Sequence, residues 1–308
     1  MKLLVTGASG FIGRNLLLAL PREYQVTALY CRSTDFTDFL ASTSLGRVVP
    51  LQADLSSDEG AATVAAVSKE FESCVFLAAN GDPAVSVGQP AFDLTANCLS
   101  LVKLLEKVRF GKLIYFSSGA VYDGLIGAVN PSVAIAPRLP YAISKWASEN
   151  YLGHFQHRGQ IGQSVIVRFF GAYGPHEPAR KIYSRLVRQF GIQKDPRFTI
   201  RGDGKNLIDA MYVSDAVRAI QLLLEGSQEN LTVDLFSGQT RTLSQLVSEA
   251  AAVFGLIPEI LYEGVVPEYI EFYATDPTFQ RSYGFNPSVD LAAGLIHLYQ
   301  HLHRSGHA

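Results

Sequence analysis

The sequence predicts an α/β fold with a doubly wound parallel sheet, followed by a smaller, discontinuous and mostly α-helical lobe. In the first half of the chain, short apolar runs of strand length alternate with segments in which apolar residues recur at helical spacing. Such alternation is typical of βαβ units, whose right-handed crossovers place helices on both faces of one sheet. A glycine-rich turn directly follows the first apolar run. These observations place a large sheet domain at the start of the chain, with its binding site at the carboxyl ends of the strands.

Each element is predicted from its own local pattern. Strands are short apolar runs bounded by polar or turn residues, and we expect them at Leu3–Thr6, Val26–Tyr30, Val48–Gln52, Cys74–Ala78, Lys112–Ser117, Ser164–Phe169 and Leu231–Leu235. Helices have apolar residues three or four apart, and we expect them at Gly13–Leu20, 58–72, Phe92–Val108, Tyr141–His157, about 180–191, 213–225, 243–254 and 289–303.

The rhythm of the pattern changes after Gly171, where loops rich in glycine and proline begin. We predict that residues 1–170 and about 208–237 form a dinucleotide-binding domain of the Rossmann type. Residues of about 171–207 and 238–308 are predicted to form the lobe that binds the substrate.

Composition excludes several classes of protein. Of 308 residues, 48% are hydrophobic and 18% are charged, which is ordinary for a globular chain. A formal net charge of −2 predicts neither nucleic acid nor an anionic membrane as a partner. The cysteines and histidines show no metal-ligand spacing, so no metal is expected. Without a signal segment or a long apolar run, the sequence predicts a cytoplasmic protein.

The turn after the first strand has the spacing Gly-x-x-Gly-x-x-Gly. Glycines allow a tight turn and a close approach of a pyrophosphate, and the helix that follows offers free N–H groups and a positive dipole end. We therefore predict cofactor contacts from this segment, at Gly7, Ser9, Gly10, Phe11, Ile12 and Gly13.

The ends of the next strands refine the choice of cofactor. Arg32, rather than an acid, follows the second strand, and a guanidinium can pair with a 2′-phosphate. The sequence therefore favours NADP over NAD. Asp54 and Leu55 follow the third strand, where an acid can meet the adenine amino group or cap the next helix. The small side chains of Ala78 and Ala79 leave room for a dinucleotide at the end of the fourth strand.

A serine, a tyrosine and a lysine form the candidate catalytic set. Tyr141 and Lys145 are four residues apart, on one face of the predicted helix. We expect the lysine charge to lower the pKa of the phenol, so that Tyr141 can exchange a proton with an alcohol during hydride transfer. Ser118, at the end of the fifth strand, could bond the reacting oxygen.

The order and spacing of these motifs resemble the extended short-chain dehydrogenase/reductase family, and within it the sugar-nucleotide epimerases, dehydratases and reductases. Further matching segments extend the resemblance over nearly the whole chain: Ala78-Ala79, Asn97, Arg168…Tyr173-Gly174-Pro175, Gly202-Asp203-Gly204…Tyr212-Val213-x-Asp215 and Tyr283-Gly284-Phe285-x-Pro287. The resemblance implies that Ser118, Tyr141 and Lys145 are catalytic and that Asn97, Tyr141 and Lys145 lie at the cofactor. It also implies a homodimer formed through the helices that hold Asn97 and Tyr141.

Two departures from the family pattern narrow the choice among the family's reactions. Gly119 and Ala120 stand where dehydratases have an Asp-Glu pair. Reductive 3,5-epimerases have a cysteine at the position of Ala120. Ile208 replaces the arginine that clamps the substrate diphosphate in relatives. Candidate substrate contacts are Tyr122, Lys181 and Arg185.

What remains is NAD(P)-dependent hydride transfer at a carbinol or keto carbon, expected to be C4 of a nucleotide-activated sugar. The missing acid after the second strand favours a 4-ketoreductase. An NAD-dependent 4-epimerase, a reductase of non-sugar carbonyls and a catalytically silent nucleotide-binding protein stay open as alternatives.

Overall fold

The computed structural model describes residues 1–227, 230–265 and 270–304. The strands are β1 Lys2–Thr6, β2 Gln25–Tyr30, β3 Val48–Gln52, β4 Glu70–Phe76, β5 Arg109–Ser118, β6 Ile126–Val129, β7 Ile161–Phe169, β8 Ala172–Tyr173, β9 Arg197–Arg201, β10 Leu207–Ile208, β11 Met211–Tyr212, β12 Leu231–Leu235, β13 Arg241–Thr242, β14 Glu259–Glu263 and β15 Glu271–Ala274.

The α-helices are α1 Phe11–Ala19, α2 Phe36–Ser42, α3 Asp58–Val67, α4 Pro83–Gly88, α5 Pro90–Leu94, α6 Ser100–Leu105, α7 Pro140–His157, α8 Ile182–Leu186, α9 Val213–Glu225, α10 Leu243–Val253, α11 Thr278–Tyr283 and α12 Leu291–Arg304. A π-helical turn at Thr95–Leu99 joins α5 to α6, a second one at Val187–Ile192 extends α8, and a 3₁₀ turn at Gly119–Tyr122 follows β5.

Seven strands form one sheet in the order β12-β7-β5-β4-β1-β2-β3. The five pairs from β3 to β7 are parallel, and Thr6 at the end of β1 lies opposite Leu29 of β2 and Phe76 of β4. The chain order reverses between β1 and β4, which is the point where such sheets bind ligands. The predicted doubly wound sheet is confirmed.

The central strands are apolar on both faces because helices cover both faces of a parallel sheet. In β1, all residues from Leu3 to Thr6 are fully buried. One core cluster joins the sheet to its helices, with Leu4, Phe71, Leu104 and Phe110 among its buried members. This packing holds the carboxyl ends of the strands in fixed positions.

The chain divides into two compact units. One comprises residues 1–124, 131–169 and 219–234, and contains the sheet from β3 to β7. The other comprises residues 125–130, 170–218 and 235–308. Within it lie the helices α8, α10, α11 and α12 and four two-stranded sheets, which pair β8 with β11, β9 with β14, β10 with β13 and β6 with β15. Over the described ranges, no helix combines the length and apolar character needed to span a bilayer.

Several predicted boundaries were wrong. The helix expected over 58–72 ends at Val67, and β4 begins at Glu70 because Glu70 and Glu72 are exposed while Phe71 and Ser73 are buried. That alternation is a strand pattern. The single helix expected at Phe92–Val108 is divided by its π-helical turn, and the second half of the helix expected at about 180–191 is π-helical.

Candidate active site

The glycine turn lies at the reversal point of the sheet. Gly7 has φ 64°, and a Cβ there would stand 2.9 Å from the Ala78 nitrogen at the end of β4. A Cβ on Gly13 would stand 2.5 Å from the Gly7 oxygen and 2.7 Å from the Ala8 Cα. The turn therefore has no room for side chains at these two positions, which explains the glycines.

The start of α1 is available to an anion. Gly10 is the N-cap and provides no side-chain hydrogen bond to the first turn, so the predicted contacts Ser9, Phe11 and Ile12 lie at an uncapped helix N-terminus. Thr6 fixes the neighbouring strand, because its Oγ1 accepts hydrogen bonds from the amides of Leu77 and Ala78, both at 3.1 Å. These features fit a dinucleotide pyrophosphate.

The ends of β2 and β3 carry charged side chains. An Arg32 Nη2 lies 4.0 Å from Asp54 Oδ2, and the Arg32 side chain is 77% exposed. Asp35 is engaged by Arg14 at 2.8 Å and by Ser33 at 2.6 Å. The Leu55 side chain is a buried member of the core, with 5% exposure, and its predicted contact with the cofactor stays a prediction.

Ser118 and Tyr141 are brought together. The Ser118 side chain lies beside the Tyr141 hydroxyl, whose pKa it lowers, and Ser118 Oγ accepts the Ala120 amide at 3.1 Å. The 3₁₀ turn after β5 directs the serine, while Pro140 at the first position of α7 places Tyr141 in the first turn of that helix. The Tyr141 amide donates to Ser86 Oγ at 3.1 Å, which fixes the start of α7 against α4.

Lys145 lies one turn further along α7 and is 4% exposed. Its Nζ donates to the Phe116 carbonyl of β5 at 2.8 Å and lies 5.1 Å from the centre of the Tyr115 ring. Burial lowers the pKa of Lys145 to about 8, against the raising effect of the carboxylates of Asp93 and Glu149. The ammonium therefore titrates near neutral pH.

The pKa of Tyr141 is raised, which corrects the lowering predicted from the sequence. Burial is the largest cause, the Asp93 charge adds to it, and the Ser118 hydrogen bond opposes it. The lysine does not reverse the effect, since its Nζ is hydrogen-bonded to a carbonyl of β5. In this state of the protein Tyr141 is a neutral phenol at pH 7.

A buried polar network lies beneath this pair. Asn97 is fully buried; its Oδ1 accepts the Asn80 amide at 2.7 Å, and its Nδ2 donates to Asp93 Oδ1 and Ser144 Oγ, both at 2.9 Å. Ser148 Oγ donates to the Asn97 carbonyl at 3.1 Å. Asn97 therefore ties the end of β4 to α7. Its predicted contact with the cofactor stays a prediction.

A second buried network holds α7 to the sheet. Arg168 of β7 and Glu149 of α7 form an ion pair at 2.8 Å, and Ser117 donates to the same carboxylate. The Tyr122 hydroxyl donates to Asp234 Oδ1 at 2.8 Å and accepts from Arg168 at 3.0 Å. Tyr122 is fully buried. Tyr122 thus helps to hold this network together, and its predicted contact with the substrate stays a prediction.

The other two candidate substrate residues lie near α8. Lys181 is the N-cap of α8, and the Arg185 guanidinium lies 5.1 Å from the centre of the Phe198 ring. Arg185 also lines a cavity of about 500 Å³, together with Arg188, Gln189, Gln193, Asp195, Arg197, Phe198, Thr199 and Leu261. Three arginines and one aspartate give this cavity a positive lining.

Sequence reasoning missed Asp93, Glu149 and Ser144 in these networks. Their helical spacing was the available signal, because Asp93 is four residues before Asn97 and Glu149 is four residues after Lys145. No group of three or more His, Cys, Asp or Glu residues is arranged to hold a metal ion in the part of the chain that the structure describes.

Comparisons with known proteins agree with this geometry. A family model described as "NAD dependent epimerase/dehydratase family" matches residues 3–235. The chain is 30% identical to the uncharacterized UDP-glucose epimerase YtcB of Bacillus subtilis, over 73% of this chain and 72% of that protein. It is 27% identical to a GDP-6-deoxy-D-mannose reductase of Pseudomonas aeruginosa, over 85% and 83% of the two chains. A dTDP-glucose 4,6-dehydratase of Streptomyces niveus is 26% identical, over 96% and 91%.

Solved structures share the fold. MoeE5 in complex with UDP-glucose and NAD superposes with a TM-score of 0.85 at 27% identity, covering 99% of both chains. A UDP-glucose 4-epimerase of Thermotoga maritima, solved with UDP-glucose, has a TM-score of 0.87 at 24% identity and also covers 99% of both chains. The curated relatives include an epimerase, a reductase and a dehydratase, so similarity alone leaves the reaction open.

Proposed function

Because the chain belongs to the NAD dependent epimerase/dehydratase family, we propose that it is a nicotinamide-dependent reductase of the keto carbon, at C4, of a nucleotide-activated sugar. The observation that carries this proposal is the placement of the Ser118 side chain beside the Tyr141 hydroxyl, together with the raised pKa of Tyr141. A neutral phenol beside a serine is ready to donate a proton. Carbonyl reduction needs a proton donor, whereas the first step of a 4-epimerase needs a base.

The chain's own residues account for the acid–base part of this reaction. Ser118 orients the substrate oxygen and stabilises the charge that develops on it, and Tyr141 delivers the proton to the same oxygen. The Lys145 ammonium, one turn away, then favours the phenolate that remains. Gly7, Gly10 and Gly13 would hold the dinucleotide, which supplies the hydride when bound.

The loop after Ser118 supports reduction over dehydration. Gly119 and Ala120 have no acid–base side chain, and both belong to the 3₁₀ turn that positions Ser118. Elimination of water needs a further acid or base beside the sugar ring. We therefore do not propose the 4,6-dehydratase reaction for which several relatives are named.

The arginine-lined cavity supports a nucleotide diphosphate as the part of the substrate that stays bound and does not react. Arg185 and Arg188 could pair with phosphate oxygens, and the exposed Leu261 offers apolar surface to a base, while Arg197 is held by Asp195. These arginines would replace the clamp lost at Ile208. An Arg185→Gln variant should bind UDP more weakly in calorimetry, whereas Arg201→Gln, on the same strand as Arg197 but outside the cavity lining, should not.

The exposed Arg32 supports NADP as the preferred cofactor. Arg32 and Arg14 lie near the end of β2; Asp35 pairs closely with Arg14 at 2.8 Å, whereas Asp54 lies 4.0 Å from the exposed Arg32. A 2′-phosphate would find cations there. Arg32→Ala should weaken NADPH binding more than NADH binding in fluorescence titrations, with the exposed Arg22→Ala as a control. Equal losses would contradict the preference.

The NAD-dependent 4-epimerase is the second candidate, because YtcB and the Thermotoga maritima protein are named as UDP-glucose epimerases. The test is to incubate the chain with NADPH and a panel of UDP-, dTDP- and GDP-linked 4-ketosugars, and separately with UDP-glucose and NAD. Consumption of NADPH with a 4-ketosugar supports the reductase. Interconversion of UDP-sugars without net change in NAD supports the epimerase.

Tyr141→Phe should abolish either activity, and Tyr151→Phe on the same helix provides a matched control because its side chain is exposed. Full turnover by Tyr141→Phe would refute the role of the phenol. No turnover of any sugar by the wild type would leave the non-sugar reductase or the silent protein as the better description.

We also propose a homodimer formed through α7 and the helices that hold Asn97. Apolar side chains are exposed on these helices, namely Phe92, Leu94, Leu99, Ile143 and Trp146, at 38–43% of their surface. Such a patch is typical of an interface. Trp146→Asp should convert a dimer to a monomer in light scattering, and a monomeric wild type would contradict the proposal.

A further inference from the structure

The carboxylate of Asp93 is shielded from solvent. It is fully buried at the end of α5, and it accepts three hydrogen bonds: from Asn80 Nδ2 at 2.8 Å, from Asn97 Nδ2 at 2.9 Å and from Ser144 Oγ at 2.6 Å. All three partners donate, and all three are neutral. An acceptor surrounded by donors is the environment of an ionised carboxylate.

The position of Asp93 connects it to both sides of the candidate active site. Asn80 follows the strand end that lies against the glycine turn, and Ser144 immediately precedes Lys145 on α7. A buried negative charge favours a nearby buried ammonium, because neither is screened by water. In agreement with the geometry, the Asp93 charge raises the pKa of Lys145.

We propose that Asp93 is a positioning residue, whose buried carboxylate fixes Ser144 on α7 and sustains the positive charge of the adjacent Lys145. Other groups also act on this lysine or on its neighbours. Titratable groups from the elements packed around Lys145 are Glu149 and Tyr141 on α7, Tyr115 on β5 and Cys98 on the π-helical turn. Glu149 is already paired with Arg168, which leaves Asp93 as the carboxylate whose hydrogen bonds are all to neutral groups.

The Asp93→Asn variant tests this charge with little change in hydrogen bonding. The amide oxygen can still accept from Asn80 and Asn97. Ser144 Oγ already lies 2.9 Å from the Tyr141 carbonyl and can donate there, so that it accepts from the new amide. The substitution therefore removes the charge and keeps the shape.

The measurement is an NMR titration of the full chain, labelled with ¹³Cε-lysine. The chain has nine lysines, and Lys145→Gln and Lys112→Gln spectra assign the two buried ones. We expect the Lys145 midpoint of Asp93→Asn to fall below that of wild type by about 0.5 pH unit or more, because the charge that favours the ammonium is removed from a buried site. Lys112 is the internal control: it is buried in β5 and hydrogen-bonded to the Leu223 and Gly226 carbonyls, so its midpoint should not move.

Equal Lys145 midpoints in wild type and Asp93→Asn would overturn the inference. A shift of the Lys112 midpoint as large as that of Lys145 would also overturn it. If the variant does not fold, the ¹³Cγ resonance of Asp93 in the wild type decides. A carboxylate at pH 7 supports the proposal, and a neutral carboxyl group overturns it.

The inference rests on the proposed function only in calling Lys145 catalytic. In that reaction, Asp93→Asn should move the alkaline limb of kcat/KM to lower pH, whereas Asp58→Asn, a surface change of equal charge, should not. A uniform loss of kcat at all pH values would mean a merely structural role. Turnover by Tyr141→Phe would refute the proposed function and leave the lysine titration intact.

Discussion

Replacing Glu149 by glutamine removes the negative charge that faces a buried arginine. Both side chains of the Arg168–Glu149 pair are 7% exposed, and the carboxylate accepts from Nη2 at 2.8 Å and from Nε at 3.2 and 3.3 Å. Ser117 donates to the same carboxylate. Glutamine can accept fewer of these bonds and leaves the guanidinium without its counter-charge.

The expected cost follows from this burial. Breaking one partner of a buried ion pair costs about 3–5 kcal/mol, because the remaining charge has lost both water and its partner. At about 2–4 °C per kcal/mol for a unit of 150–250 residues, Tm should fall by roughly 6–20 °C. Differential scanning calorimetry is the suitable assay because the two units can unfold in separate transitions.

Two further variants make this prediction refutable. Asp195→Asn breaks the exposed pair with Arg197, whose side chain is 69% exposed, and should leave Tm unchanged. The double variant Glu149→Leu/Arg168→Met removes both charges and should recover most of the loss. The reasoning fails if Glu149→Gln melts within about 2 °C of wild type, or if the double variant is no more stable than the single one.

Three other predictions follow from the same structure. Burial lowers the pKa of Lys145 to about 8, so the lysine is charged below that pH and neutral above it. kcat/KM should therefore fall as the pH rises through 8. A kcat/KM that stays constant well above pH 8 would contradict the role of the ammonium. Gly13→Ala should abolish dinucleotide binding in titrations, because its Cβ would meet the Gly7 oxygen at 2.5 Å, while Gly46→Ala, with open space around it, should bind normally. Burial raises the pKa of Glu177 from 4.5 to about 7, so the folded state favours the protonated carboxyl and loses stability as the pH rises from about 4.5 through 7. Glu177→Gln should therefore raise Tm at pH 8 and not at pH 4; equal changes at both would show that ionisation is not the cause.

The sequence predicts the sheet well because its signal is local. Each central strand is a short buried run, and the turn after β1 needs glycine for a steric reason that its spacing reveals. Ser118 and Tyr141 are 23 positions apart in the chain, yet βα topology places both at the carboxyl end of the sheet. Their proximity is therefore a consequence of fold and order together.

The remaining features depend on contacts that spacing does not show. The hydrogen bond from Ser144 to Asp93 spans 51 positions, and no periodic pattern encodes it. The pKa of Tyr141 was predicted from a helical neighbour, but its direction is set by burial and by Asp93. The end of α3 was misplaced because apolar content alone does not separate a helix from the alternating start of β4.

The π-helical turn at Thr95–Leu99 contains one residue more than a regular α-helical turn would need. Asp93 lies just before this turn, and Asn97 lies within it. Deleting a residue between them would change the spacing that lets Asn97 Nδ2 donate to Asp93 Oδ1. Selection should therefore tolerate exchanges at the other positions of this turn far more readily than a replacement of Asn97 or a change in length.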